Sequence, residues 1–292
     1  MGVPYLSEDK QHFFAEGTPI TIDADKSGDL LITWADGNMV VPKDIEIWGG
    51  SETQATGSKI IDYDSTFINV NGGRIKSVWG GNRGPGHIKK VTINVNGGIT
   101  ANLSAGIGYG AKDAPNWKNA DLGATVIDEA VVTVRKGTVN LLYGGTGSGI
   151  ATVKKSTLNF SGRATYATAG NSNGHVGEAN LNVTGGTVLT CAQCMNRGTA
   201  NTLNAKITGG NIKELFIIGD ATAKFEGKVN MGIYGGTIKK FTIKEKAINQ
   251  EAVTENMSIK YSSNAKIPVS QLAGTGAVED NSNGVCEAKL VR

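Results

Sequence analysis

The residues of this chain whose chemistry could serve a reaction are three cysteines, a scatter of carboxylates, two histidines that follow glycines and one glycine-rich loop. Cys191-x-x-Cys194 has the spacing of half a zinc site or of a redox dithiol. A structural zinc takes about four ligands, and Cys286 brings no second pair. A redox dithiol needs a helix N-terminus, and this segment has the pattern of a strand. Cys191 also falls in a slot held elsewhere by Val78, Leu103 and Leu142, which predicts a buried stack filler. Polysaccharide cleavage takes paired carboxylates, to protonate and attack a glycosidic bond or to hold calcium. Asp62 with Asp64, and Asp128 with Glu129, lie close in sequence, whereas Asp113, Asp121, Glu178, Glu214, Asp220 and Glu226 are dispersed, most of them at strand ends. Neighbouring charges along a strand read as solvated. His87 and His175 are too far apart in the repeat to be partners, and GGTGSG at 144–149 lacks the lysine and helix of a phosphate loop. No catalytic residue, metal or cofactor is assigned on this basis.

Binding residues are easier to nominate. One position beyond the buried slot of a recurring strand stand Trp48, Trp79, Tyr143 and Phe216, with Ser104, Ala169, Ala192 and Thr242 between them. Their neighbours point inward, so these side chains are expected to point out. Aromatics exposed in line serve a protein interface or a sugar-binding surface. A subunit interface is the first expectation, with a sugar groove or a loop folded over the stripe as the other two. Trp117 joins the candidates because it sits in an insertion, AKDAPNWKNADLG at 111–123, of a length that is often functional.

The element that must position these residues is a repeat. With the second glycine of Asn71-Gly72-Gly73 as reference, the same slot recurs at Gly98, Gly137, Arg163, Gly186, Gly210 and Gly236, at steps of 25, 39, 26, 23, 24 and 26 residues. The long step is one coil plus the 111–123 insertion. Three residues before the slot stand Val70, Val95, Val134, Phe160, Val183, Ile207 and Ile233; five before stand Ile68, Ile93, Val132, Leu158, Leu181, Ala205 and Met231. Alternation of period two is a strand with one buried face. A second strand follows each glycine, with Val78, Leu103, Leu142, Thr168, Cys191, Leu215 and Phe241 five after the slot. Periods of this length make a solenoid. The expected fold is all-β: a parallel β-helix of about eight coils, right-handed by the general preference of parallel crossovers.

Residues 1–39 are expected to form an arm and cap, 40–262 the solenoid, and 263–292 a C-terminal cap or docking tail. Ile20–Asp23 and Leu30–Trp34 read as strands joined by a turn at 25–28, covering an open solenoid end. The net charge of +3 and the scattered Lys pairs at 89–90, 154–155 and 239–240 argue against nucleic-acid binding. The opening MGVPYLSEDKQHFF is not a basic start followed by an apolar run, and no stretch is long enough to span a membrane. An outward polar ladder of Asn69, Asn94, Thr133, Asn159 and Asn182 reads as a solvated sheet rather than an ice-binding array, because Phe67, Val131 and Lys206 interrupt it.

The run FINVNGGRIKSVWGG, followed by GHIKKVTINVNGG, resembles the glycine-rich right-handed β-helices of bacteriophage tail spikes, tail fibres and related virion appendages. It is also similar to repeat-bearing surface proteins of gut bacteria. The resemblance implies an elongated homotrimer in a virion, assembled in the host cytoplasm, which contacts neighbouring virion proteins or the host surface, including a cell-surface glycan. The expected function is non-enzymatic structure and adhesion. A polysaccharide depolymerase on the same scaffold, or a secreted bacterial adhesin acting at a cell surface, is the alternative.

Overall fold

A computed structural model describes residues 2–52, 61–84, 86–106, 125–147, 151–172, 174–219, 224–244, 257–268 and 286–288. All regular elements among them are strands. The first six are β1 (Tyr5–Leu6), β2 (His12–Phe14), β3 (Ile20–Ala24), β4 (Leu30–Trp34), β5 (Gly37–Val41) and β6 (Glu46–Trp48). The repeat supplies β7 (Tyr63–Val70), β8 (Arg74–Trp79), β9 (His87–Val95), β10 (Ile99–Ser104), β11 (Thr125–Val134), β12 (Thr138–Tyr143), β13 (Ala151–Phe160), β14 (Arg163–Thr168), β15 (His175–Val183) and β16 (Thr187–Met195). Two long, bent strands follow, β17 (Thr199–Ile218) and β18 (Lys224–Lys244), then β19 (Met257–Tyr261) and β20 (Cys286–Ala288).

Like positions stack in parallel. Ile68, Ile93, Val132, Leu158, Leu181, Ala205 and Met231 are consecutive partners on one sheet, so the chain makes six complete turns between Ile68 and Met231. The molecule is therefore a β-solenoid of about six turns, fewer than the eight expected from slot counting. At the start β3 pairs parallel with β7, while β4 and β5 follow in antiparallel order; β6 and β19 extend the parallel stacks as part-coils at the two ends. Asp25 makes that reversal, its carboxylate accepting from the backbone N–H of Ser27 at 2.8 Å and of Asp29 at 2.9 Å.

The inward ladders form one continuous core from Phe13 to Tyr261. The corner between the two strands of a coil needs a left-handed residue: Gly73, Gly98, Gly137, Gly186, Gly210 and Gly236 have φ between +76° and +89°, a region that costs other residues about 1–3 kcal/mol. Hydroxyls that point inward find acceptors, as buried polar groups must. Thr66 Oγ1 donates to the Gly80 carbonyl at 2.7 Å, and Ser156 Oγ donates to that of Ala169.

Two local irregularities change the register read from sequence. Arg163 pairs with Thr138 and Thr187, one residue beyond the glycine slot, so the corner before β14 is a residue shorter and Gly162 takes the slot. In β16 the register shifts between Val188 and Cys191 at a bulge. The core positions are consequently Ala167 and Ala192, both fully buried, in place of Thr168 and Cys191.

A candidate ligand-binding groove

The position after the buried slot of the second strand builds one ladder along the solenoid: Phe14, Trp48, Trp79, Ser104, Tyr143, Thr168, Gln193, Phe216 and Thr242. The four nominated aromatics do stack in this ladder. Thr168 and Gln193 occupy the places expected of Ala169 and Ala192, a direct consequence of the short corner and the bulge.

The expected exposure of the stripe does not hold. Trp48 is fully buried, Trp79 is 8% exposed and Phe216 5%. Their side chains leave the main core, as the alternation requires, but other chain covers them. Phe14, Trp48 and Trp79 make a second apolar cluster, and Tyr5 of the N-terminal segment stacks on Phe14 at 5.2 Å between ring centroids. The rings continue from Phe14 to Trp48 at 6.3 Å and to Trp79 at 5.6 Å. Further on, the loop at Gly147 closes over the ladder. Its N–H donates to Ser104 Oγ at 2.8 Å, and that hydroxyl donates to the Gly145 carbonyl at 2.8 Å. Trp79 Nε1 is buried without a hydrogen-bond partner among the described residues. Trp117 and the whole 111–123 insertion lie outside the described residues.

Past Tyr143 the ladder residues Thr168, Gln193 and Phe216 stay buried, and the exposed aromatic is Tyr166 on the neighbouring ladder. A half-open hollow of about 390 Å³ lies over β12, β14, β16 and β17, within the range of small-ligand sites. Two adjacent ladders line it. Tyr143, Gln193 and Phe216 belong to the aromatic ladder; Leu141, Tyr166, Cys191 and Glu214 belong to the next one outward along the strands. The β16 bulge sits in the floor, a common device for re-aiming side chains beside a site. Gln193 is fixed there, its Nε2 donating to Thr168 Oγ1 at 2.8 Å and its Oε1 accepting from Cys191 Sγ at 3.8 Å. Burial pushes the Tyr143 hydroxyl above its ordinary pKa, against a hydrogen bond with Ser172 that lowers it, so it stays protonated at neutral pH. Glu214 Oε2 faces Lys240 Nζ at 3.7 Å.

Sequence reasoning found Tyr143 and Phe216 but missed Tyr166, Gln193 and Glu214 as members of one site. Glu214 was legible in principle, since it stands four residues after Gly210 as Leu141 stands after Gly137. Tyr166 and Gln193 were not, because the short corner and the bulge each shift a side chain by one position. Asn82 and Asn171 also escaped notice. Both are fully buried and tie loops together: Asn82 Oδ1 accepts from the Ser51 N–H at 3.1 Å, and Asn171 Oδ1 from the Thr146 N–H at 2.9 Å.

The remaining chemical candidates become structural. Lys89 meets Asp64 at 2.6 Å, Lys90 meets Glu129 at 2.9 Å, Lys154 meets Asp128 at 2.7 Å and Lys155 meets Glu178 at 3.4 Å. The Lys pairs at 89–90 and 154–155 thus alternate in sign with acidic residues on neighbouring rungs. His87 Nε2 lies 3.0 Å from Asp128, while His175 Nδ1 faces Thr199 Oγ1 at 2.8 Å. Lys154, first, and then His87 hold the Asp128 carboxyl below its ordinary range. Cys191 and Cys194 are buried thiols, and burial pushes the Cys194 thiol up to about 12. Among the described residues no cluster of three or more His, Cys, Asp or Glu could hold a metal, and no helix is long and apolar enough to cross a membrane.

The polar face carries a second, wider hollow of about 730 Å³ beside Asn204, Asn230, Lys206 and Tyr234. Its asparagines bond to each other along the axis, Asn230 to Asn204 at 2.8 Å and Asn204 to Asn180 at 2.9 Å. Such side-chain ladders add to the stacking of coils.

Compared with models of known families, with characterised proteins and with solved structures, the chain matches none.

Proposed function

We propose that this protein is a non-enzymatic adhesive shaft, a β-solenoid that carries a binding site on its side, in the manner of a bacteriophage tail fibre, tail spike or other virion appendage. The observation that carries this reading is the half-open groove on the side of the solenoid, where Tyr166 is 38% exposed beside Tyr143 and Glu214. The groove holds one carboxylate, Glu214, among its described lining residues, whereas glycosidic cleavage by the usual routes takes two. Retention without turnover is therefore the favoured chemistry. The virion setting rests on the sequence resemblance, as does the homotrimer, and a secreted bacterial adhesin would use the same groove.

The test is adhesion with turnover measured beside it. Labelled protein is incubated with a panel of intact Gram-negative and Gram-positive cells and with their extracted surface polysaccharides. Retention on a subset of cells, with no release of reducing ends, is expected. Release of reducing ends would turn the reading to a depolymerase, and retention on no surface would remove adhesion. Light scattering on the eluted protein gives the oligomeric mass, with a trimer expected.

A further inference from the structure

Resting on the adhesive reading, we infer that the groove over β14, β16 and β17 binds an uncharged saccharide, its C–H face against Tyr166 and its hydroxyls on Glu214, Asn196 and Thr190. The wall chemistry decides the class. Aromatic faces carry negative charge density and attract the positively polarised C–H groups of a sugar ring. A purely aromatic or aliphatic ligand would cover Asn196, Thr190 and the Glu214–Lys240 pair while offering them no hydrogen bond, which costs free energy as polar burial does. Glu214 is paired with Lys240 Nζ at 3.7 Å, and the same ammonium lies 5.8 Å from the Phe216 ring centroid, so this wall is balanced in charge and favours neither an anion nor a cation. A peptide strand has no free main-chain edge to pair with, because β14 lies between β12 and β16, and β16 between β14 and β17. A ligand with apolar faces and many hydroxyls satisfies all the groups at once.

The spacing adds to this. Tyr143 and Phe216 stand three rungs apart in one ladder, roughly 14 Å at about 4.8 Å per rung. Thr168 and Gln193 form the polar floor between them, already bonded to each other, so the floor is ordered before a ligand arrives. Preorganisation of this kind limits the entropy lost on binding. Tyr166 is 38% exposed, which leaves its ring available as a platform.

The experiment is a panel of immobilised neutral, N-acetylated and anionic oligosaccharides, probed with the full chain and with Tyr166→Ala and Glu214→Gln. Phe67→Ala, on the other sheet, is the control. The expected result is binding to one or more uncharged glycans, weakened about tenfold or more by either groove substitution and unchanged by Phe67→Ala. Melting curves accompany each variant; Glu214→Gln keeps the side-chain volume and guards against a loss that is only structural. Binding that persists in both groove variants overturns the groove as the site, and selective binding of anionic glycans overturns the uncharged class. Protein that adheres to cells but to no glycan overturns the saccharide inference and leaves adhesion standing. Protein that adheres to neither overturns both.

Discussion

Adjacent residues of β13 should differ sharply in what they contribute to stability, and the contrast tests the alternation on which the whole solenoid rests. Leu158 is fully buried and stacks between Val132 and Leu181. Thr157, its neighbour, faces outward between Val131 and Asn180. Leu158→Ala removes buried methyl groups and leaves a cavity in a ladder that cannot collapse without shifting both adjoining coils, for a cost of about 2–5 kcal/mol. For a chain of this size each kcal/mol lowers Tm by about 2–4 °C, so a loss of about 3 kcal/mol predicts a fall on the order of 6–12 °C. Thr157 is half-buried on the outward face, and Thr157→Ala, which empties no core position, should cost far less, on the order of 0.5 kcal/mol. The effect should not remain local. Each coil is supported by its two neighbours alone, so weakening a central rung should broaden the urea transition or split it into two. The assay is urea and thermal unfolding followed by far-ultraviolet circular dichroism. Equal losses in the two variants, or a larger loss for Thr157→Ala, would refute the inward assignment of the ladder and the register built on it.

Further expectations can be checked with similarly simple measurements. Gly98→Ala places a side chain at φ +80° and drives its Cβ toward the backbone of Gly72 and Gly73, so it should cost about 1–3 kcal/mol from backbone strain alone; a melting temperature equal to wild type would discount the corner geometry. Asp128 has its carboxyl held below the ordinary value of 3.8 by Lys154 and His87. A depressed folded-state pKa means stability that is present above the unfolded value and lost as pH falls through the folded one. The acid limb of the stability profile below about pH 3.8 should therefore flatten in Asp128→Asn, and identical acid limbs would remove the ion pairs as contributors. Cys194, with its thiol raised to about 12 by burial, should resist iodoacetamide at pH 8 in the folded protein and react in denaturant; peptide mass spectrometry showing rapid native alkylation would place Cys194 outside the core.

The fold and the site were legible to different degrees, and β14 and β16 show why. Slot counting put Arg163 in the glycine position because steps of 26 and 23 residues surround it. The structure distributes those residues as a short corner at Gly162 and a bulge at 188–191, two irregularities that nearly cancel in the count. Residue spacing cannot separate a shortened turn from a displaced bulge when their sum is conserved. Yet each moves side chains by one position, and one position in a strand is the opposite face. That is how Cys191 moved from the core stack to the groove wall and Gln193 into the aromatic ladder.

The sequence by itself determined the solenoid. A period-two apolar pattern, repeated at 23–26 residues with a glycine at each corner, can bury its face only by stacking on its own copies. It also determined that Trp48, Trp79, Tyr143 and Phe216 share one line, because parallel stacking preserves position from coil to coil. Tertiary structure decided which part of that line is sealed. Phe14 lies 34 residues from Trp48 in the chain, yet pairs with it on the next rung, and Gly147 reaches back across Ser104 from the following coil. Cover of this kind depends on where loops and the N-terminal segment come to rest, and no local spacing encodes it. The same holds for the charges: Lys89, Lys90, Lys154 and Lys155 are a weak basic pattern along the chain and an alternating ion-pair ladder across it, since electrostatic partners are chosen by distance in space.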